Sequence, residues 1–470
     1  MQTQENLTFW RDLTPFPAPL RTPVDSSPRI LIVGGRGDGP GDGLDAAGQG
    51  LPRDGPVQGV GLVRVRPASH VADRRGPVGV PASRLRAAHG RHLAAALQAL
   101  EHGEQPFPPE IVISYHIWDA IAAAAASRND DRWSIGRAGV RMKHVNFFFP
   151  EPVEANPAET AKMLEIMSSG VRGFRRDAAA IMQERRVSPS YGAVDAYEHL
   201  APVIDTDACM QFLTGLVAAK GAQLITRAVR GDLLDQEADL RAEFGADAIV
   251  NATGLASAEL AGDESCYPIR GGLVRVVNDG RDFPKVDAAL TISANAAHST
   301  NEIVFLVPRN DDILLIGGIT EPNKHQLDLT LEFPIIQRMR ARCEAFLPDL
   351  KRARLDPEYP LAQGLRPFRG GNVRVERELR MRRGGAVDKG DDASTANRTS
   401  RIIHSYGHGG AGWSLAFGCA GDVALLVEEV LLDLAPRPMK LETAASKPLP
   451  TALETARVIL DDGPKIMTRL

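Results

Sequence analysis

Few residues in this chain have the type and spacing to do chemistry. Arg366, in Gly364-Leu365-Arg366-Pro367-Phe368-Arg369, offers a planar fork of donors that matches the two oxygens of a carboxylate. The usual fate of a single arginine is an exposed or ion-paired position, so the residue type alone does not decide. His404-Ser405-Tyr406-Gly407-His408-Gly409-Gly410-Ala411-Gly412-Trp413-Ser414 is a glycine loop. Glycines let backbone N–H groups come close to a bound cofactor because no Cβ stands in the way. Taken on its glycines alone, the loop reads equally as a tight turn. His404 and His408 are close enough to suggest a metal pair, but no third ligand lies at suitable spacing, so no metal is expected. No Ser/His/Asp constellation is visible.

These residues need elements to hold them. Ile402-Ile403 reads as a strand entering the loop, and the run Val423, Leu426, Val427, Val430, Leu431 after Asp422 reads as a helix leaving it. Arg29-Ile30-Leu31-Ile32-Val33-Gly34-Gly35 reads as a buried strand running into glycine, the start of a dinucleotide-binding βαβ unit. Asp247 to Gly254 is a second such strand, ending Asn251-Ala252-Thr253-Gly254. Asn156-Pro157-Ala158-Glu159 reads as N-cap, first-turn proline and capping-box acid, with Met163, Ile166, Met167, Val171 and Phe174 on one helical face. Asp205 to Asp207 caps a helix that turns Cys209, Phe212, Leu213, Leu216 and Val217 inward and stops at Gly221, followed by a strand over Ala222 to Val229. Arg270 to Val276 starts the crossing into a second, antiparallel domain, where Ile303 to Pro308 and Ile313 to Ile316 form a hairpin. Arg382 to Arg401 reads as a mobile surface loop.

One stretch breaks the pattern. Residues Arg36 to Pro106 contain no Phe, Trp, Tyr, Ile, Lys, Met, Thr, Asn or Cys and are dense in Gly, Arg, Ala, Pro and Val. Counted from Gly34, Arg36 stands where a G-x-G-x-x-G turn needs its second glycine, and Leu62-Val63-Arg64-Val65-Arg66 offers arginines where a ribose-binding acid should end the next strand. The composition is that of a GC-rich gene read out of frame between about Gly35 and Pro109; a natural disordered insertion is the alternative. The stretch is expected to be irregular.

His404, Tyr406, Gly407, Gly409, Gly410, Gly412 and Gly418 fall at the spacing of the D-amino-acid oxidase signature, and the chain resembles that family over roughly 29–35 and 111–433. The resemblance implies an α/β fold, a Rossmann-like FAD-binding domain with an antiparallel-sheet substrate domain, and FAD as cofactor. It implies domains at 29–265 and 266–365, a return to the first over 366–433, an N-terminal extension 1–28 and a tail 434–470. By residue-for-residue match, Gly34 and Gly35 form the first cofactor turn, and Thr253 and Val229 lie near pyrophosphate and adenine. Gly409, Gly410, Gly412, Trp413 and Ser414 give backbone groups to the isoalloxazine. Arg366 matches the family's carboxylate clamp, and Gly410 the carbonyl that receives the substrate amine. Phe305, in Phe305-Leu306-Val307-Pro308, stands where the family has a tyrosine, keeping the aromatic wall and losing the hydroxyl. The implied reaction takes a D-amino acid, O2 and water to 2-oxo acid, ammonia and hydrogen peroxide. No strong base is needed, since a neutral amine lets hydride leave Cα. Glycine, sarcosine or D-aspartate oxidation, or an inactive relative, are the alternatives.

The whole chain sets wider bounds. Its 470 residues carry a formal net charge of −4, which points away from a nucleic-acid partner. Cys209, Cys266, Cys343 and Cys419 are scattered, without metal spacing or a disulfide framework. No apolar run approaches the roughly 18 residues of a membrane span, and Met1 to Ser27 lacks a secretory h-region. The ending Thr468-Arg469-Leu470 is a weak match to a peroxisomal address, which leaves peroxisome or cytoplasm open, as it leaves a homodimer open.

Overall fold

The computed structural model of the chain describes residues 27–35, 60–65, 109–127, 138–292, 303–380 and 399–436. The first half of its elements runs β1 (Ile30–Gly35), β2 (Val60–Val65), α1 (Pro109–Ser127), β3 (Val140–Phe149), α2 (Pro157–Ser168), β4 (Arg175–Arg176), α3 (Ala178–Glu184), β5 (Asp195–Ile204), α4 (Thr206–Ala219), β6 (Gln223–Arg227), α5 (Glu237–Phe244) and β7 (Ala248–Ala252). The second half runs α6 (Ser257–Leu260), β8 (Cys266–Val277), β9 (Ala289–Ile292), β10 (Val304–Pro308), β11 (Ile313–Gly317), β12 (Glu321–Pro322), α7 (Pro334–Phe346), β13 (Leu361–Arg369), β14 (Arg374–Arg377), β15 (Ile402–Tyr406) and α8 (Gly412–Leu431).

The apolar runs of β1, β7 and β15 must be hidden on both faces, and parallel pairing of β1 with β7 and of β7 with β15 does this. Leu31, Val33, Ile249 and Ile402 face one layer with Leu233, Leu234 and Leu240, while Ile30, Val250 and Ile403 face α8 through Val427 and Val430. The full order of this sheet is β14-β15-β7-β1-β2-β6. The second sheet runs β12-β8-β11-β10-β9-β3-β5-β4, with β13 on β8. Even-numbered residues of β8, β10 and β11, such as Val274, Leu306 and Ile316, pack against α7, whose Ile336, Met339, Cys343 and Phe346 recur at helical spacing. These are the mixed α/β layers the sequence implies.

Several expectations change. Residues 140–204 pair into the second sheet through β3, β4 and β5, so the chain enters the substrate-side sheet well before residue 266. Arg366 to Arg369 also stay in that sheet as part of β13. Long-range pairing decides this, and no local pattern carries it. Asn156 and Asp205 cap their helices, but Glu159 pairs with Lys162 at 3.1 Å instead of reaching back to close a capping box. Met167 and Val217 are exposed. The helix of Met167 ends at Ser168, and Val171 and Phe174 join the core from backbone turned by Gly170 and Gly173 in left-handed conformations. Gly34 and Gly35 lie within β1 and form no turn there. β2 is a regular strand where irregular chain was expected. The rest of 36–106, most of the 382–401 loop and the C-terminal tripeptide lie outside the described residues.

Helix α8 begins at Gly412, ten residues earlier than the periodicity alone suggests, because its first turns are held by α1. The Trp118 indole N–H donates to the Trp413 carbonyl at 3.0 Å, and its ring packs on Trp413 and Phe417. Ser114 Oγ accepts from the Phe417 and Gly418 amides. The helices can approach this closely because Gly418 has no side chain; a Cβ there would overlap the Glu110 backbone. Gly418→Ala should therefore lower unfolding free energy by about 1–3 kcal/mol, the usual cost of overpacking. Urea titration of the two proteins measures it, and equal stability would refute the close contact.

Candidate functional site

Three features meet where the two sheets touch: one face of the β8–β11–β10 sheet, the arginine of β13, and the glycine loop after β15. Phe305 pairs with Gly317 of β11, and Gly317 pairs with Leu273 of β8. These residues share the face turned away from α7. Phe305 is exposed there, between buried Val304 and Leu306. Gly271 lies on the same face, two residues from Leu273. A Cβ on Gly271 would stand inside the Arg366 guanidinium, and one on Gly317 would overlap Leu273. Two glycines thus flatten a floor bounded by Arg366 on one side and the Phe305 ring on the other, with β8 and β11 between.

Arg366 is the charge of this floor. Its Nη1 donates to the Ile319 carbonyl at 3.2 Å. It has no acidic partner among the described residues, and burial alone pushes its pKa down. Its neighbours are different. Arg369 Nε donates to Asp263 at 2.7 Å. Arg374 donates to the Tyr406 hydroxyl at 2.6 Å and to Glu376 at 2.7 Å, which makes it structural. The Tyr406 hydroxyl donates in turn to Asp263 at 2.8 Å. Burial would raise the Asp263 carboxyl, but hydrogen bonds from Ser265, Arg369 and Tyr406 hold it well below the carboxylate range. A half-buried cation with donors to spare and no counter-charge among the described residues suits an anion with two oxygens.

The glycine loop is pressed onto β13. The Gly409 amide donates to the Pro367 carbonyl at 2.9 Å, and His408 bridges to Phe368. Gly407 and Gly409 take left-handed φ values of 85° and 54°. A Cβ at Gly407 would meet Arg369, and one at Gly409 would meet the Phe368 ring, each at 2.8 Å. Glycine is therefore required by conformation and by contact together. The result sets exposed Gly410 beside Arg366, with only 3.5 Å between a Cβ there and the arginine Cδ. Burial pushes His408 down to about 4, so the loop carries no imidazolium at neutral pH.

The remaining expected site residues are spread along the first sheet. Gly412 and Ser414 are exposed in the first turn of α8, whose N-cap Ala411 offers no side-chain cap. Trp413 is partly buried and its carbonyl is taken by Trp118. Thr253 is buried at the end of β7, and Val229 lies in the core among Leu31, Val33 and Leu233, so any contact with a cofactor falls to its backbone. Gly34 pairs with Ala252 across the β1–β7 junction. Sequence reasoning did not single out the Gly271/Gly317 floor, nor the buried set His404, Asn251 and Glu378. The signals were present as an Arg-Gly-Gly step and as a polar asparagine inside an apolar strand.

For FAD, the residues on the loop side fit: open space at Gly412, uncapped N–H groups at the α8 N-terminus, and small residues at Thr253-Gly254. The β1 side fits less well. β2 runs antiparallel to β1, with Gly35 opposite Val60, so the next described strand does not continue a parallel βαβ unit.

Comparison with known proteins bears on the same residues. The family model described as FAD dependent oxidoreductase matches residues 90–426. The match reaches back into the stretch read as foreign, taking in 90–106 and leaving 36–89 outside. The D-amino-acid oxidase of Rubrobacter xylanophilus is 31% identical over 261 residues, 56% of this chain. The chain spans just under two thirds of that relative's length, 66%. The D-amino-acid oxidase of Streptomyces coelicolor is 31% identical over 281 residues, 59% of this chain and 75% of that protein. Among solved structures, glycine oxidase from Geobacillus kaustophilus superposes with a TM-score of 0.49 and 17% identity, over 73% of this chain and 85% of that one.

Gly271→Ala isolates the arginine's placement. The atoms it would displace are the far end of a side chain, so the fold should survive while the guanidinium moves by about 1 Å. A misplacement of that size costs on the order of 10²-fold in catalysis. KM and kcat of the FAD-loaded variant, with its melting temperature as control, check this; wild-type kinetics would remove Gly271 from the floor.

Proposed function

This chain belongs to the FAD dependent oxidoreductase family, and from that membership we propose that the crevice between its sheets oxidises D-amino acids at Cα, with FAD as cofactor and O2 as acceptor. The carrying observation is Arg366, a half-buried guanidinium without an acid partner among the described residues, set beside the exposed backbone of Gly410. Arg366 binds the substrate α-carboxylate, and the Gly410 carbonyl accepts from the substrate amine. Two anchors on adjacent atoms of Cα fix which face the Cα–H presents. Phe305 closes the far side as an aromatic wall. FAD, when bound, would supply the hydride acceptor and the route of two electrons to O2, and the overall reaction takes amino acid, O2 and water to 2-oxo acid, ammonia and hydrogen peroxide. The protein's part is orientation and exclusion of water, which needs no side-chain base. Gly407, Gly409, Gly410, Gly412 and Ser414 would hold the cofactor on one side and Thr253-Gly254 on another.

A second reading, that this chain takes up FAD poorly, is favoured by the antiparallel β2 and by Arg36 directly after Gly35. A phosphate turn needs a small residue there and a helix N-terminus facing the pyrophosphate. The chain as written is expected to purify with little flavin. A transcript reading in another frame across codons 36–106 should encode a chain that retains it. Purification of the present chain with one FAD per polypeptide and D-alanine oxidase activity would sink the second reading and leave the first standing.

Two substitutions test the assigned roles in protein supplied with excess FAD. Arg366→Ala should raise KM steeply and remove about 2–5 kcal/mol from transition-state binding, as when one partner of a buried charge pair is truncated. Unchanged kcat/KM with D-alanine would take Arg366 out of the site. Phe305→Tyr should tighten carboxylate binding by about 1.5–3 kcal/mol, one hydrogen bond to a charged group. Lost stability without gained affinity would mean that the ring does not face the carboxylate.

A further inference from the structure

His404 is wholly buried at the centre of the first sheet, outside the roles given above. Its Nε2 lies 3.2 Å from Glu378 Oε2, and its Nδ1 lies 3.2 Å from the Asn251 side-chain nitrogen. Asn251 and Glu378 are buried as completely. Asn251 Oδ1 accepts from the Thr253 amide at 3.2 Å and the Thr253 hydroxyl at 2.7 Å, with the Ser257 hydroxyl at 3.5 Å. Arg380 closes the far end, donating to Glu378 from Nε at 2.9 Å and from its backbone amide at 2.8 Å.

These donors and acceptors admit one arrangement. Two donors of Thr253 face one Asn251 atom, so that atom is the amide oxygen and the NH2 points at His404. His404 Nδ1 must then accept, and the ring's single proton sits on Nε2 and goes to the Glu378 carboxylate. The direction runs without a break from Thr253 through Asn251 and His404 to Glu378.

We propose that His404, held as the neutral Nε2–H tautomer, is a positioning residue that orients Asn251 and through it sets the Thr253-Gly254 turn at the carboxyl end of β7. That turn bears on both halves of the site. Ala252, just before it, pairs with Gly34 of β1. Gly254, at φ 56°, abuts Pro367, with 3.3 Å between a Cβ there and the Pro367 Cβ, and Pro367 adjoins Arg366. The consequence for ligands rests on the function proposed above; the relay itself does not.

The relay is sensitive to acid. The charged and titratable groups facing His404 are Glu378, Glu376 and Arg374, with Tyr406 edge-on at 5.6 Å. Burial pushes the His404 pKa below its ordinary value, against the pull of Glu378. A depressed histidine contributes stability that is present above the unfolded value of about 6.5 and lost as pH falls through the folded value. Protonation at Nδ1 sets two donors head to head at Asn251, so the turn loosens as the pH falls.

The test uses the full chain with 15N-labelled histidine. At pH 7 the His404 nitrogens should report the neutral Nε2–H tautomer. Asn251→Asp replaces the amide donor by an acceptor, so His404 should become doubly protonated at pH 7. In His404→Phe, amide exchange at Thr253 should accelerate about tenfold or more relative to Leu290 in the other sheet, one hydrogen bond to a charged acceptor being broken upstream. His404→Gln, which keeps a donor for Glu378, should recover most of it. FAD titration by flavin fluorescence should show the same order, weakest in His404→Phe. An Nδ1–H tautomer, an unchanged His404 signal in Asn251→Asp, or an unchanged Thr253-to-Leu290 exchange ratio each overturns the proposal. No flavin uptake in any variant counts against the proposed function, and the tautomer and exchange results then decide the relay.

Discussion

Everything in the site depends on how closely the loop after β15 lies on β13. At Gly407 and Gly409 the loop backbone occupies volume that any side chain would contest with Arg369 and Phe368. That contact joins two sheets with separate cores, one against α7 and one against α8. It also brings Gly410 to Arg366, residues 44 positions apart in the chain. Small residues are thus used here for proximity, the same use they have at Gly271, Gly317 and Gly418. The cost is conformational freedom in the unfolded chain, which glycine raises more than any other residue. The bond from the Gly409 amide to Pro367 and the Tyr406–Asp263–Arg369 brace offset it by fixing both flanks of the loop.

Charge balance then separates the arginines. Arg369 and Arg374 each have an acid within hydrogen-bond distance, and Asp263 is held ionised by the groups around it. Among the described residues Arg366 has a carbonyl only. A half-buried guanidinium in this condition keeps donors free for an anion. The Phe305 position sharpens the point. With no hydroxyl on that wall, the carboxylate of the proposed substrate would rest on Arg366 among the described residues.

How far the sequence could be read depended on the range of each cause. The cap at Asn156, the buried strands of β1 and β7, the hairpin of β10 and β11 and the glycine loop all have causes within a few residues, and each was legible. The boundary of α8 was not, because Gly412 to Phe417 are helical through contacts with Ser114 and Trp118, some three hundred residues away. Nor was the sheet membership of β3 and β5, whose pairing with each other and with β9 no local pattern encodes. Arg366 was legible only through resemblance. Its isolation from acids is a three-dimensional fact, and the paired Arg369 three residues on looks the same in sequence. Asn251 was visible as an oddity in an apolar strand, but its meaning needed His404 and Glu378 at its side.

β1 marks where local inference ends. Ile30-Leu31-Ile32-Val33-Gly34-Gly35 has the composition of a dinucleotide-binding strand, and it pairs in parallel with β7 as such a strand should. A phosphate site is made by the chain that leaves the strand. In a βαβ unit the chain crosses back along a helix and re-enters the sheet parallel, which puts the helix N-terminus at the carboxyl edge. Here the next described strand begins at that edge, Val60 opposite Gly35, and runs the other way. β1 is therefore held in the sheet by β7, whatever course the chain takes after Gly35. This is how a chain can keep both cores, the β13 contact and an arginine with no acid partner among the described residues while one side of its cofactor site departs from the pattern that the other side fits.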